Sequence, residues 1–172
     1  QWEATLLEAA EHCSGASERT ARQDKLQPGR DASVKMARTD WPEIKAHLPL
    51  IRQAAQSQGI PTALVCAIIS RESRAGKALD KGWGDRGNGW GVMQVDKRHH
   101  RITAEDVALG PWHANHLGYA CSVLRQYRTA MINSFPAWPA WAQLKGAVAA
   151  YNFGPRNVRT IERMDVGTTG ND

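Results

Sequence analysis

Cysteine is scarce in this chain, and the few cysteines are not arranged for a structural role. Of 172 residues only three are cysteines, at Cys13, Cys66 and Cys121, with no CxxC pair and no metal-ligand spacing. An odd, widely spaced set predicts neither a disulfide framework nor a zinc site. We therefore expect no bound metal and no cofactor. Free thiols are compatible with a reducing compartment but do not require one.

Long apolar runs and blocks of like charge are also missing. No hydrophobic stretch approaches the length that spans a bilayer, so membrane insertion is not expected. No block of about five or six basic residues indicates a nucleic-acid-binding arm, and we expect no nucleic-acid partner. The first residues lack a basic start followed by an apolar stretch, so no secretory signal is visible. That pattern fits a cytoplasmic protein, or a mature secreted protein whose signal has been removed.

Size and charge narrow the class of protein. A chain of 172 residues with 42% hydrophobic and 23% charged residues can bury a real core as one domain, residues 1–172. Its formal net charge of +5 and pI near 9.4 favour an anionic partner, such as nucleic acid, an acidic glycan or a bacterial surface. The alternative is a basic, solvated surface without a specific ligand.

Helical periodicity dominates the chain. Residues 1–32 are predicted to be an irregular lead-in with at most a short amphipathic helix from Trp2 to Ala10, because Gly15, Pro28 and Gly29 interrupt the polar stretch that follows. Apolar spacing and breakers then predict helices over 33–37, 42–55, 61–72, 117–134, 139–151 and 155–161.

A glycine-rich segment interrupts the helices. Six of the sixteen residues from Gly76 to Gly91 are glycine, and Asn88-Gly89 is a tight-turn signal between segments able to pair. Residues 92–96 alternate as in a strand, which would put Gln94 and Asp96 on the same side. Residues 97–115 are polar and predicted to be irregular. Helices with one small antiparallel sheet predict an α+β fold.

Glu72 occupies a position where an apolar residue is expected. A stripe at helical spacing is formed by Leu64, Val65, Ile68 and Ile69, and Glu72 continues it. Burial disfavours the ionised form of a carboxyl group and raises its pKa, as a general acid near neutral pH requires. Glu72 is therefore a candidate proton donor.

Two aspartates supply the other half of a possible reaction. Hydrolysis of a glycosidic bond without a metal needs an acid and a carboxylate on the opposite face of the sugar. If the glycine-rich hairpin folds across a cleft from the helix end, Asp85 and Asp96 can hold or activate a water. Each residue also has a structural alternative: Glu72 at a frayed helix end, Asp85 capping a turn, and Asp96 paired with Lys97 or Arg98.

The aromatic and histidine residues nearby carry weaker signals. His99 and His100 are adjacent and would point to opposite sides of an extended segment, so they cannot readily share a metal. Trp83 and Trp90 in the hairpin are candidates for stacking on sugars in a cleft.

Short strings in family order make this sequence resemble the goose-type lysozyme family. Between Ala67 and Asp96 these are IISRES, AGKAL and GWGDRGNG, with MQVDKR running on to Arg98. Elsewhere they are GAS, KMA, FPAW, QLKG, AYN, NVR and MDVGTT. The resemblance extends over about 150 residues, the size of one domain. The scarcity of cysteine resembles the fish branch, since vertebrate secreted members commonly carry two disulfides near the amino terminus.

The resemblance implies a lysozyme-like fold and a muramidase, which hydrolyses the β-1,4 bond between N-acetylmuramic acid and N-acetylglucosamine in antibacterial defence. The family's catalytic glutamate matches Glu72, and its assisting aspartates match Asp85 and Asp96. Attack by water with inversion of configuration is implied. The positions that line the sugar cleft in the family match Gln94, His100, Tyr151 and Asn152. Trp90 joins them as our own candidate for binding substrate.

The resemblance also implies partners and a location. Bacterial peptidoglycan and chito-oligosaccharides are the expected substrates of a monomer that is secreted, with a cytoplasmic location as the alternative. For Tyr151 the alternative role is core packing at a helix end.

Two departures from the family concern the sugar cleft and the end of the chain. AYNFGPRN replaces AYNAGAGN, and the larger side chains are expected to reshape a sugar subsite. The sequence stops at GTTGND, where family members continue into a terminal helix, so we expect that helix to be absent.

Two other functions fit the same motifs. A lytic transglycosylase shares the Glu-Ser and AYN strings and cleaves the same bond, but it needs no second carboxylate, whereas Asp85 and Asp96 favour hydrolysis. A non-catalytic, cationic peptidoglycan-binding protein would explain the altered segment and the net charge.

Overall fold

The computed structural model describes residues 2–164. The α-helices in this range are α1 (Trp2–Glu11), α2 (Glu18–Ala21), α3 (Arg30–Ala46), α4 (Leu48–Ser57), α5 (Thr62–Ser73), α6 (Ala104–Leu109), α7 (Ala114–Ser134) and α8 (Ala140–Phe153). Three short strands lie between α5 and α6: β1 (Trp83–Gly84), β2 (Gly89–Trp90) and β3 (Val95–Asp96). The predicted α+β class, mostly helical with a small antiparallel sheet, is confirmed. None of the helices in 2–164 is long and apolar enough to cross a membrane.

The chain forms two compact units. The first contains residues 2–36 and 123–164, and the second contains residues 37–122. In the first unit α1 packs against α8, and the rings of His12 and Trp141 stack with their centroids 3.7 Å apart. The core of this unit contains the buried side chains of Met131, Ala142, Ala147, Ala150, Val158 and Met164.

The second unit contains α4, α5, the sheet and α6. Its buried apolar side chains include Ile51, Ala55, Leu64, Val65, Ile68, Ile69, Trp90, Val92, Met93 and Val95. The apolar stripe predicted for α5 is therefore buried. The helix ends at Arg74, which has a left-handed φ of 52° and closes the last turn by donating its backbone N–H to Ser70.

The sheet has the order β1-β2-β3 and is antiparallel throughout. The predicted turn at Asn88-Gly89 is wrong in position, because Gly89 already belongs to β2 and a 3₁₀ turn at Asp85–Gly87 makes the reversal. The predicted strand over 92–96 is also shorter than expected. Gln94 has a left-handed φ of 51°, which breaks the alternation and leaves only Val95–Asp96 in β3.

The short helix predicted from Trp2 to Ala10 is confirmed as α1, but the irregular structure predicted for the rest of the lead-in to residue 32 is wrong. Besides α1, the segment forms α2, whose first turn is capped by the Ser17 hydroxyl accepting the Thr20 N–H at 3.2 Å. The backbones of Ala16 and Gly29 exchange two hydrogen bonds of 3.1 and 2.8 Å. Pro28 and Gly29 thus mark a short loop before α3 and not an extended tail.

Two helix boundaries also differ from the predictions. Helix α3 continues through Pro42 to Ala46, and the new helix begins at Leu48 with Pro49 in its first turn, where proline is favoured. In the stretch predicted to be irregular, α6 begins with a capping box: the Thr103 hydroxyl accepts the Asp106 backbone N–H, and the Thr103 backbone N–H donates to the Asp106 carboxylate.

The end of the chain follows the predictions only in part. The predicted helix after Pro155 is a single 3₁₀ turn, Pro155–Asn157. Of the family-like string MDVGTT only Met164 is described, and its side chain is buried with Met131 and Val158. The chain end at GTTGND, where we expected the family's terminal helix to be absent, lies outside the described residues.

Asp40 joins α3 to the end of α5. Its side chain is fully buried and accepts hydrogen bonds from Ser70 Oγ at 2.8 Å, from Arg74 Nε at 2.8 Å and from Lys77 Nζ at 2.8 Å. Burial alone would raise the pKa of Asp40, but the hydrogen bonds from Arg74, Lys77 and Ser70 outweigh it and lower the pKa. Since Ser70 and Arg74 lie on either side of Glu72, this cluster fixes the helix turn that carries Glu72.

His116 of α7 holds the turn that leads into β3. Its Nε2 accepts the backbone N–H of Met93 at 3.1 Å, which requires a neutral ring with Nε2 unprotonated. Burial lowers the pKa of His116 to about 4, so the ring stays neutral over most of the pH range. Gly91 makes the close contact possible, because a Cβ there would lie 2.3 Å from Nε2.

Candidate active site

Glu72 is half-buried near the end of α5. Burial raises the pKa of its carboxyl group to about 7, the positive charge of Arg71 opposes this rise, and the negative charge of Asp85 adds to it. The next residue, Ser73, donates its hydroxyl to the Val92 carbonyl at 2.8 Å and thereby ties the helix end to the hairpin. Glu72 therefore has the protonation behaviour expected of a general acid near neutral pH.

Asp85 lies at the tip of the hairpin, where the chain reverses. It begins the 3₁₀ turn between β1 and β2 and has a left-handed φ of 46°. Its side chain is 61% exposed and lies 3.4 Å from Nη2 of Arg98. The carboxylate is thus open to solvent and is close enough to Glu72 to influence its charge.

Asp96 at the end of β3 is held by Arg98. The guanidinium spans both carboxylate oxygens, with Nε 2.9 Å from Oδ1 and Nη2 2.6 Å from Oδ2. The Arg98 backbone N–H adds a bond of 2.8 Å to Oδ1. These hydrogen bonds lower the pKa of Asp96 and keep it ionised. Asp96 is therefore paired with a following basic residue, as its structural alternative predicted, and this ion pair belongs to the candidate site.

Gln94 lies flat against two glycines of the sheet. Its Nε2 donates to the carbonyl oxygens of Gly91 at 2.8 Å and of Gly89 at 3.3 Å, so both amide hydrogens are used within the hairpin. A Cβ on Gly84 or on Gly89 would approach Oε1 of Gln94 to 2.2 or 2.3 Å. The side chain fits there because both neighbours are glycine. For a ligand, Gln94 has only its Oε1 to offer.

Replacing Gly84 with alanine is expected to cost about 1–2 kcal/mol of unfolding free energy, because the new methyl group displaces the Gln94 amide and its hydrogen bonds. Gly84 has an extended backbone (φ −128°), so alanine adds no backbone strain. Urea unfolding of a double-mutant cycle measures the effect. In a Gln94→Ala background the same replacement should cost almost nothing. An equal cost in both backgrounds would mean that Gln94 is not the residue displaced.

His100 is half-buried beside Tyr119. Its Nδ1 lies 3.0 Å from the Tyr119 hydroxyl, and the two rings meet edge to face with centroids 5.7 Å apart. Burial and the neighbouring His99 lower the pKa of His100, while Asp96 opposes the change. The lowered pKa favours the neutral form of the ring.

The two hairpin tryptophans differ in exposure. The side chain of Trp90 is only 1% exposed, and its Nε1 has no hydrogen-bond partner among residues 2–164. The prediction that Trp90 stacks on a sugar therefore does not fit the structure. Trp83 is half-buried, and Lys97 Nζ lies 5.2 Å from its ring centroid. Trp83 is the hairpin indole that a ligand can reach.

An open groove of about 680 Å³ runs along the hairpin in the second unit. Its walls are formed by Ala78, Asp80, Lys81, Trp83, Gly84, Asp85, Arg86, Gly87 and Lys97. Asp85 is among the residues that line the groove, whereas Glu72 and Asp96, the other two predicted catalytic residues, are not. The groove combines an indole face with acidic and basic groups, which suits a polar, sugar-like ligand.

Tyr151 and Asn152 lie in the first unit, on α8. Tyr151 is half-buried and meets the ring of Tyr127 edge to face, with centroids 6.5 Å apart. Asn152 is exposed. Phe153, one of the larger residues of AYNFGPRN, packs against the core of this unit, and its carbonyl accepts Asn157 Nδ2 at 2.6 Å. Substrate binding by Tyr151 and Asn152 stays a prediction.

Sequence reasoning missed the roles of Gln94 and Arg98. The sequence analysis gives Arg98 only as a structural partner of Asp96. A basic residue two positions after a carboxylate at a strand end could have indicated a bidentate pair that fixes the carboxylate. Gln94 was taken for a strand residue facing a ligand. The glycines at 84 and 89, which pair with neighbouring strands, could have indicated that a side chain lies across them. Among residues 2–164 no group of three histidine, cysteine or acidic side chains is arranged to hold a metal ion.

Comparison with known proteins identifies the family of the chain. A family model described as "Lysozyme g" matches residues 10–172, which includes part of the amino-terminal stretch. A "Lysozyme g" from Casuarius casuarius is 45% identical over 161 residues, covering 92% of this chain and 84% of that protein. A "Lysozyme g" from Epinephelus coioides is 42% identical over 167 residues, covering 92% and 85%. The chain belongs to the lysozyme g family of glycoside hydrolases.

Proposed function

We propose that Glu72 is the general acid with which this chain, a muramidase of the lysozyme g family, hydrolyses peptidoglycan. The bond cleaved is the β-1,4 link between N-acetylmuramic acid and N-acetylglucosamine. One observation carries the proposal: the pKa is about 7 for Glu72 but below the usual range for Asp96. Carboxyl groups whose environments move their pKa values apart divide acid and base roles at one pH.

The reaction follows from these protonation states. Protonated Glu72 gives its proton to the glycosidic oxygen as the bond from that oxygen to the anomeric carbon breaks. A water molecule attacks the anomeric carbon from the opposite face and loses a proton to Asp85 or Asp96. The anomeric configuration is inverted. No covalent intermediate forms, so neither aspartate acts as a nucleophile.

Substrate contacts are assigned to side chains with free polar groups or open surface. In the second unit these are Oε1 of Gln94, the ring of His100 and the face of Trp83, which replaces Trp90 in this role. Tyr151 and Asn152 of the first unit are proposed as substrate-binding residues from the family resemblance alone. The chain is proposed to be one catalytic domain, residues 1–172. Chito-oligosaccharides present the same linkage and are expected to be slower substrates.

A cationic chain that cleaves bacterial walls is suited to act outside the cell as a monomer. The net charge of +5 attracts the chain to anionic bacterial surfaces and repels other copies of itself. Detection of the protein in culture medium or body fluid, and sedimentation at the mass of a monomer, would test these two assignments. Protein retained wholly inside cells would favour the cytoplasmic alternative.

Analysis of the products tests the reaction type. Digestion of peptidoglycan in ¹⁸O-labelled water should yield reducing N-acetylmuramic acid ends that carry one ¹⁸O atom. Proton NMR during the first turnovers should detect the α-anomer first, since inversion of a β-linkage produces it. A lytic transglycosylase would instead release 1,6-anhydromuramic ends without label. Initial release of the β-anomer would leave hydrolysis standing but would rule out the inverting mechanism.

A further inference from the structure

We propose that Arg98 is a positioning residue for catalysis, which holds Asp96 in a fixed, ionised state and ties it to Asp85. Arg98 acts through the carboxylates and does not touch the reacting atoms. The inference rests on the proposed function, because it concerns the carboxylates assigned to the attacking water.

The geometry of the guanidinium supports this role. Arg98 spans Asp96 with Nε and Nη2, and Nη2 also lies 3.4 Å from Oδ2 of Asp85. Asp96 is at the end of β3, whereas Asp85 is at the tip of the turn between β1 and β2. A single planar group therefore links the edge strand β3 to the turn that follows β1, the opposite edge strand. A bidentate pair of this kind fixes the orientation of the carboxylate as well as its position.

The charges around Asp96 make Arg98 its dominant partner. The side-chain hydrogen bonds from Arg98 are the main reason that the pKa of Asp96 is lowered, and the positive charges of Arg98 and His99 add to them. Partial burial opposes the change. Asp96 in turn acts on His100, because its negative charge favours a higher pKa of that ring. No other residue offers the carboxylate two donors in one plane in the described part of the chain.

The exposure of Arg98 argues against a purely structural purpose. Its side chain is 56% exposed, and an ion pair that solvent reaches contributes little to folding free energy. Asp85 and Asp96 would repel each other if both were ionised near one water molecule, and the guanidinium offsets that repulsion. Without it, Asp96 would bind a proton at a higher pH and its carboxylate would turn freely about its side-chain bonds.

The test compares Arg98→Gln with Arg98→Lys and with Arg101→Gln, a matched removal of one exposed arginine from the following loop. In Arg98→Gln we expect kcat on labelled peptidoglycan to fall about tenfold with little change in KM. The acidic limb of the pH profile of kcat should move to higher pH, because Asp96 is protonated sooner as the pH falls. Arg98→Lys should move the acidic limb part of the way back toward its position in the parent. Arg101→Gln should leave the acidic limb where it is in the parent.

A second readout does not depend on activity. Titration of the Asp96 side-chain carboxyl carbon by ¹³C NMR, assigned with Asp96→Asn, should give a higher pKa in Arg98→Gln than in the parent. Melting temperatures should differ by no more than a few degrees. An unmoved Asp96 titration, or an acidic limb that moves equally in Arg101→Gln, would overturn the inference.

Glu72→Gln, assayed beside these variants, separates this inference from the proposed function. If Glu72→Gln is inactive while the acidic limb of Arg98→Gln is unmoved, only the role of Arg98 is wrong. If Glu72→Gln keeps the activity of the parent, the proposed function fails and the catalytic role of Arg98 fails with it.

Discussion

Glu72→Gln is expected to clear suspended bacterial walls about 10²–10⁴ times more slowly than the parent, because glutamine cannot protonate the leaving oxygen. The change is nearly isosteric and keeps the side chain neutral, which is the state that Glu72 itself occupies below its pKa of about 7. Turbidity assays with equal amounts of folded protein measure the effect. Activity of the parent should also fall as the pH rises through about 7, since Glu72 then loses its proton.

The same replacement should stabilise the fold at neutral pH. The folded pKa of Glu72 lies above its unfolded value, so its contribution to stability is fully present below the unfolded pKa and is lost as the pH rises through about 7. Glutamine removes the cost of ionising a partly buried group, roughly 1–2 kcal/mol after allowing for solvent. We expect Glu72→Gln to melt at a higher temperature than the parent at pH 8 but at the same temperature near pH 4.

Glu105→Gln is the matched control for Glu72→Gln, because it makes the same change at an exposed glutamate of α6. It should retain the activity of the parent and show no gain in stability. If Glu72→Gln cleared walls as fast as Glu105→Gln, catalysis by Glu72 would be refuted. The net charge of the chain would then be the better explanation for any bacteriolytic effect.

Helix α5 was predictable because its evidence is local. Four apolar residues at helical spacing precede Glu72, and the structure buries all four. The same short segment shows that Glu72 lies on the apolar stripe. Burial on that stripe is the main cause of its raised pKa. The family motifs then gave Glu72 its partners, whose roles the pattern alone left open.

The hairpin was predictable in kind but not in detail. Six glycines predict a tight sheet, yet the turn lies two or three residues earlier than Asn88-Gly89, and Gln94 leaves the strand through a left-handed backbone. Both differences arise from contacts that spacing does not encode. Gln94 fills the space above two glycines of neighbouring strands, and Trp90, expected at a surface, is buried.

Contacts between distant segments were beyond prediction from spacing. Nothing in the sequence around Asp40 indicates its partner Arg74, which lies 34 residues further on. His116 in the same way supports the backbone of Met93, 23 residues before it. Both contacts hold elements that carry site residues in position. Their partners become apparent only when the chain is folded, because each depends on helices packing at a particular register.

Asp40→Asn is expected to lower the free energy of unfolding by about 2–4 kcal/mol, since it leaves two cations without their buried counter-charge. Arg74 is the more affected partner, because its side chain is 15% exposed, whereas that of Lys77 is 48% exposed and can be hydrated. The NH₂ group of an asparagine at this position would also face the N–H and O–H donors that now bind the Asp40 carboxylate. In a chain of this size the loss corresponds to roughly 5–12 °C in melting temperature.

The pH dependence of this loss identifies its cause. The lowered pKa of Asp40 means that its charge contributes stability above the unfolded value, near 3.8, and that this contribution is lost as the pH falls through the folded pKa. Urea midpoints of Asp40→Asn and the parent should therefore converge in strong acid and differ most at neutral pH. Asp31→Asn, the same change at an exposed position of α3, should cost less than about 1 kcal/mol. A difference between Asp40→Asn and the parent that did not vary with pH would point to lost packing, and the charge of Asp40 would not be what holds α3 to the turn that carries Glu72.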